Sequence, residues 1–120
     1  MIQRGAAYLS IVVEIIDTFP TRDILAEGRI RLHSLLVVSS VTLKIDDESE
    51  RYFVEFPLNE DGQALIELCD KTIKEKVHDA MVFKYEEYIK SLDFNNTSDS
   101  MPYIYKLEKE RIERKSMRNY

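Results

Sequence analysis

Residue types that anchor many specialised folds are scarce in this chain of 120 residues. Its single cysteine, Cys69, cannot form an intrachain disulfide, and no Cys/His cluster has the spacing of a zinc site. We expect Cys69 to be a small buried hydrophobe. With three glycines in total, the chain has no phosphate-binding glycine loop, and it has no nucleophile-elbow motif. These absences argue against a zinc domain, a nucleotide-binding fold and a serine hydrolase.

Long hydrophobic runs are also missing. No apolar stretch approaches the roughly 20 residues of a membrane span. The opening MIQRGAAYLS lacks the apolar core and the cleavage site of a secretory signal, so a cytoplasmic protein is expected. His33 and His78 have no local ligand partner, and acidic pairs are common simply because the chain is acidic. We expect no enzymatic activity, no cofactor and no metal.

Charge is distributed unevenly along the chain. The net charge is −5. Residues 106–118 carry six cations against three glutamates, a balance of +3, which leaves −8 on the remainder. An acidic body repels polyanions, so a nucleic acid would have to meet the C-terminal segment or a local basic patch.

The pattern predicts an α+β fold: an antiparallel sheet of about five strands packed by one long helix, followed by a linker and a short C-terminal helix. Alternating or β-rich runs place strands at 8–17, 29–38, 41–45, 51–56 and 63–69. Residues 18–28 are expected to form a loop or a wide hairpin connection. Ser39 and Ser40 are expected to break or turn the chain, and Asn59 to Gly62 to form a hairpin turn.

The long helix is predicted over residues 72–89. Thr72 and Glu75 have the spacing of a capping box, which marks its start. One apolar stripe follows the helical period: Ile73, Val77, Ala80, Met81 and Tyr88. We assign residues 1–91 to the α+β domain, 92–102 to a linker, and 103–120 to a charged tail. Within that tail, 103–117 is predicted to be a mostly solvated helix.

One helix covers only one face of a sheet. The second face would leave six apolar side chains without cover: Val12, Ile16, Leu35, Val37, Phe53 and Leu65. Keeping such groups in water forgoes several kcal/mol at about 25 cal/mol per Å². We therefore predict a homodimer, formed sheet to sheet or by strand exchange. The alternative is that the tail folds back over part of this surface.

The order of several landmarks resembles a known family. Glu27-Gly28-Arg29 is followed by Phe53-Val54-Glu55-Phe56-Pro57, by Asp61-Gly62, and by Lys76-Val77-His78-Asp79-Ala80-Met81 with Tyr85. Over roughly residues 10–90 the chain looks like SpoVG, the stage V sporulation protein G or septation-regulator family of small bacterial proteins. This resemblance implies an antiparallel sheet followed by a helix, a strand-mediated dimer, a regulatory role through binding DNA or RNA, and no catalysis.

The chain departs from the family pattern in three places. Leu58-Asn59-Glu60 stands where family members carry a basic segment after the proline. The His-Pro dipeptide before the helix is absent, and the connection between the second and third strands is shorter. Losing cations weakens binding to phosphates, because each neutralised phosphate contributes counterion release.

Candidate nucleic-acid contacts follow from exposed positive charge. Eight residues qualify: Arg29, Arg31, Lys71, Lys74, Arg111, Arg114, Lys115 and Arg118. Each group also has an ordinary explanation as part of a solvated, mixed-charge surface. The sequence thus leaves two hypotheses open: a dimeric SpoVG-like regulator that binds nucleic acid, or a protein-interaction module that kept the fold and lost that surface.

Overall fold

The computed structural model describes residues 10–19, 24–33, 35–46, 48–63, 65–92 and 103–118, with side chains to residue 115. Its elements are β1 Ile11–Thr18, β2 Ile24–Leu32, β3 Leu36–Ile45, β4 Tyr52–Glu55, α1 Lys71–Ser91 and α2 Tyr103–Arg118. The strands form one antiparallel sheet in the order β1-β2-β3-β4. The α+β class is confirmed, with four strands in the described part of the chain where about five were expected.

The second strand was predicted too late in the chain. β2 begins at Ile24, inside the expected connection, and the chain reverses between Leu32 and Leu36 rather than after residue 38. Leu35 N donates to Leu32 O at 3.1 Å, and His33 has a φ of 57°. The apolar run after residue 34 had lost its alternation because the chain reverses there and Leu32 pairs with Leu36.

Ser39 and Ser40 do not end a strand. They lie inside β3, where Gly28 pairs with Val41 and Ile30 pairs with Val38. Two residues of β3 therefore oppose one residue of β2, which is a β-bulge, and Ser40 accommodates it with a φ of 60°. The prediction that these serines break or turn the chain was wrong, because the strand continues through the bulge.

The predicted fifth strand at 63–69 is absent from the described residues of that segment. The turn before it does form: Gly62 has a φ of 79°, and Asn59 Oδ1 accepts hydrogen bonds from the N–H groups of Asp61 and Gln63, each at 2.9 Å. Leu65 N still donates to Pro57 O at 3.0 Å. Beyond that bond, residues 65–69 run to α1 without forming a strand.

α1 begins slightly earlier than predicted. Its N-cap is Asp70, whose Oδ1 accepts from Ile73 N at 3.0 Å, so the capping box assigned to Thr72 was wrong. The buried stripe is spaced by four residues: Val77, Met81, Tyr85 and Ile89. Tyr88, expected on that stripe, is exposed. The helix therefore presents a face rotated by part of a turn from the predicted one.

α1 packs on one face of the sheet, over Gly28 of β2. A Cβ at this position would lie at an ordinary contact distance of 3.5 Å from the sulfur of Met81, but only 2.8 Å from the carbonyl oxygen of Glu14, so the glycine permits the close approach of β1. The core around this contact consists of side chains from the inner sheet face, α1 and α2, including Val13, Ile30, Val41, Leu43 and Ile112.

α2 is not the mostly solvated helix that the sequence suggested. Ile112 is fully buried, and Tyr105 packs against the same core. The Tyr105 hydroxyl lies 2.8 Å from Thr18 Oγ1, and Lys109 Nζ donates to Leu92 O at 2.6 Å. The predicted linker falls mostly at 93–102, outside the described residues. α2 therefore completes the core from the side of α1.

Candidate interaction surfaces

The sheet surface turned away from α1 is here called the open face. Across three strands it carries the row Val12, Arg31 and Val37, which are direct cross-strand neighbours. Its apolar members are Val12, Ile16, Val37 and Phe53, each about half exposed, with Leu35 at 81% exposure at the tip of the hairpin. The sequence had placed these five on the second face. Leu65 is also exposed, but it lies beyond the sheet.

Two ion pairs cross the open face. Arg29 on β2 pairs with Glu14 on β1, its Nε lying 3.1 Å from Glu14 Oε1. Lys44 on β3 pairs with Glu55 on β4 at 2.6 Å. Arg31 is exposed and makes no ion pair with a described residue. Arg29 was a candidate phosphate contact, and its charge is balanced by Glu14.

Lys71 and Lys74 lie in the first turns of α1, as expected. Both are exposed and form no ion pair with the described side chains. Glu75, His78 and Asp79 line the same shallow hollow. His78 Nδ1 lies 3.1 Å from Asp79 Oδ1. The hollow therefore carries mixed charge.

The cations of α2 are used in two different ways. Arg111 donates to Glu108 from Nε at 2.6 Å and to the Tyr52 hydroxyl from Nη2 at 2.7 Å. Lys115 donates to Glu86 on α1 at 2.8 Å and lies 4.7 Å from the centre of the Tyr52 ring. Arg111 and Lys115 are thus paired internally. Arg114 is exposed, and the side chain of Arg118 lies outside the described part.

A buried polar network ties α2 to α1 and the sheet. The Tyr85 hydroxyl donates to Glu108, and the Tyr52 hydroxyl donates to Glu86 at 2.7 Å. Burial raises the pKa of Tyr85, and the neighbouring Glu108 charge raises it further. Burial likewise raises the pKa of Tyr52. Burial lowers the pKa of Arg111, but its bonds to Glu108 and Tyr52 outweigh this and raise it. Both hydroxyls and the guanidinium keep their protons.

A second surface was missed by the sequence analysis. Between β4, residues 65–69 and the first half of α1 lies a cleft of about 410 Å³, here called the β4 cleft. Its lining is largely apolar and includes Val54, Phe56, Ile66, Leu68 and Val77. It exists because residues 65–69 diverge from β4 where a fifth strand was predicted. The composition of that segment suits a strand, so the sequence offered no signal for such a gap.

The remaining candidate groups show no constellation for chemistry. His78 Nε2 lies 3.2 Å from the carbonyl oxygen of Tyr52, and Cys69 is exposed, contrary to expectation. Among the described side chains, no three His, Cys, Asp or Glu residues are placed to hold a metal ion. Neither of the two described helices has the length and apolar character needed to cross a membrane.

Comparison with known proteins returned no relatives. No family model, no curated protein and no solved structure matches the chain. The resemblance to the SpoVG family stays a prediction.

Proposed function

We propose that this protein is a non-catalytic interaction module that pairs with a second copy of itself through the open face of its sheet. The observation that carries the proposal is the set of four half-exposed apolar side chains on that face: Val12, Ile16, Val37 and Phe53. Single exposed apolar residues are ordinary, whereas several on one face of a domain are typical of an interaction site. Arg31 separates Val12 from Val37, and Phe53 lies opposite Lys44 at the other end of β3.

The dimensions of the open face set the size of such an interface. Four strands spaced at about 4.8 Å, with β3 ten residues long, give a surface of roughly 15 by 30 Å, or about 450 Å². The twist and the protruding side chains add to this flat area. A standard interface buries about 800 Å² per partner, so the open face supports an interface of small size, to which the hairpin tip at Leu35 adds.

Charge favours a second copy as the partner. The chain is acidic overall, so most approaches between two copies are repulsive. On the open face, Glu14 is balanced by Arg29 and Glu55 by Lys44, and Arg31 is left as a cation without an ion pair among the described residues. Two copies that meet through this face avoid the repulsion between their acidic surfaces and have only the two Arg31 side chains to keep apart.

The test is a measurement of mass in solution by light scattering coupled to size exclusion. The native chain should show twice the 14.1 kDa of one protomer at about 100 µM, an ordinary affinity range for such interfaces. Val37→Glu should give the protomer mass, because it places a charge among the apolar side chains of the open face. Phe83→Glu is the matched control: Phe83 is 62% exposed on α1, away from the sheet.

Two outcomes would overturn the proposal. One is a native chain that stays at 14.1 kDa throughout the titration. The other is a Phe83→Glu variant that loses the dimer as completely as Val37→Glu. Circular dichroism of each variant establishes that it is folded.

A second candidate is a regulator that binds nucleic acid, as the SpoVG resemblance implies. Arg31 favours it, since this cation is exposed, central on the open face and without an ion pair among the described residues. Arg111 and Lys115 speak against a wide phosphate contact, because Glu108 and Glu86 already neutralise them. A mobility-shift titration at about 50 and 200 mM salt tests this candidate. No shift at the lower salt, or equal binding by Arg31→Glu, would remove it.

A further inference from the structure

β4 is an edge strand whose outer side is only partly used. Asp46 N donates to Arg51 O at 2.9 Å across the β3–β4 hairpin, which fixes the alternation of the ladder. Residues 53 and 55 then bond towards β3, and residues 52 and 54 turn their main-chain groups outwards. His78 Nε2 at 3.2 Å from Tyr52 O agrees with this direction.

Val54 is the residue of β4 whose outward main-chain groups have no partner among the described residues. Its N–H and C=O point away from β3, and no described residue bonds to them on that side. A strand edge with unpaired main-chain groups is a template for another extended chain. The segment 65–69, which would have paired here as a fifth strand, instead forms the far wall of the β4 cleft.

The lining of the β4 cleft suits an apolar side chain. It includes Phe56, Ile66, Leu68 and Val77, and the cleft volume of about 410 Å³ exceeds the space that one large side chain needs. An extended peptide alternates its side chains, so every second residue would point into the cleft. Main-chain bonds to Val54 and an apolar anchor are the two parts of recognition by strand addition.

The charged residues that line the cleft limit which kind of peptide can bind there. Lys74 lines the cleft and forms no ion pair with a described side chain. Of the two carboxylates in the lining, Glu55 is neutralised by Lys44 at 2.6 Å. The other, Glu67, belongs to the wall formed by 65–69. An acidic side chain of the ligand is attracted by Lys74 and repelled by Glu67, so its expected place is beside Lys74 on α1.

We propose that the β4 cleft binds an extended segment of a partner protein, which pairs with Val54, places one large apolar side chain in the cleft and sets an acidic side chain against Lys74. This site adjoins the open face at Phe53 and Glu55 on β4. It needs no second copy of the chain.

The test begins with selection of random seven-residue peptides displayed on phage against the purified full chain. Enriched peptides should share one large apolar residue with an acidic residue two positions away, since alternate side chains point the same way. The best peptide is then synthesised and titrated by calorimetry. Methylating its main-chain nitrogen opposite Val54 should weaken binding about 10-fold, because the strand hydrogen bond is lost.

Protein variants test the charge. Lys74→Glu should weaken the peptide about 5-fold, the size expected of one exposed ion pair replaced by repulsion. Lys76→Glu is the matched control, because Lys76 is an exposed lysine of the same helix outside the cleft lining. The titration is repeated on Val37→Glu, so that a failure of the open-face dimer and a failure of the cleft are seen separately.

Hydrogen exchange supplies a readout that points to the site itself. Bound peptide should slow exchange of the Val54 amide while leaving exposed α1 amides of the first turn unchanged. The proposal is overturned if no peptide binds more tightly than about 1 mM, if Lys74→Glu and Lys76→Glu act alike, or if the methylated peptide binds unchanged. It is also overturned if the Val54 amide becomes protected with rising protein concentration alone, since a second copy would then occupy the edge.

Discussion

Truncating Ile112 to alanine tests whether α2 belongs to the core. Ile112 is fully buried, so the change removes three carbons from a packed environment. At about 0.8 kcal/mol for each buried methylene, the transfer loss is roughly 2.4 kcal/mol. The cavity left behind adds to this, and the better helix propensity of alanine offsets a few tenths. We expect the free energy of unfolding to fall by about 3 kcal/mol.

Urea denaturation followed by far-ultraviolet circular dichroism measures this loss. With a slope of about 1.5 kcal/mol per M, typical of a chain of this size, the midpoint should drop by about 2 M. Leu107→Ala is the matched control. It removes the same number of carbons from the same helix, but Leu107 is 40% exposed. Its cost should stay near 1 kcal/mol, because the lost burial is smaller.

The reasoning fails if Ile112→Ala and Leu107→Ala have equal midpoints. That result would mean that α2 is solvated in solution, as the sequence pattern had suggested. It would also mean that Glu108 is not buried in solution, because this residue is part of α2.

Two further predictions concern the helix start and the tyrosines. Asp70→Ala should lower the free energy of unfolding by about 1 kcal/mol, because its side chain caps Ile73 N, whereas Thr72→Ala should be nearly neutral; urea midpoints compare the two. If both substitutions lowered the urea midpoint equally, the result would support the capping box at Thr72 instead. The raised pKa of Tyr85 keeps its stabilising contribution intact below about pH 10, the pKa of an unfolded tyrosine, and removes it as pH rises through the higher folded value. Urea midpoints at rising pH should therefore converge for the native chain and Tyr85→Phe; a constant difference would contradict this.

The spacing of apolar residues within single elements was enough to predict the main helix and an apolar second face of the sheet. The period of α1 identified Val77 and Met81 as buried, and alternation in β1 placed Val12 on the open side. Val37 was assigned to the second face although alternation fails in its part of the predicted strand. These features depend on spacing within one element. The bulge at Ser39 and Ser40 was visible only as an interruption, because alternation cannot distinguish an extra residue from the end of a strand.

The pairing of the cations could not be found in this way. Arg111 reaches Tyr52 and Lys115 reaches Glu86 across long stretches of sequence, so helix spacing gives no hint of these contacts. The β4 cleft has the same origin. It depends on where residues 65–69 go after the turn, and the composition of that segment suits a strand as well as an extended connection.

The uneven charge of the chain has an explanation inside the molecule. Glu108 is buried, and a buried carboxylate is strongly destabilising without a counter-charge. Arg111 supplies that charge, its own side chain being only 11% exposed. Lys115 does the same for Glu86 at a more open position, where an ion pair contributes less. Of the six α2 cations, Lys115 thus docks the helix on α1, and Arg111 neutralises Glu108 within α2 while it bonds to the Tyr52 hydroxyl of β4. A polyanion that recruited these two cations would have to break both ion pairs. This part of the basic segment therefore stabilises the packing of α2 before it can serve as a binding surface.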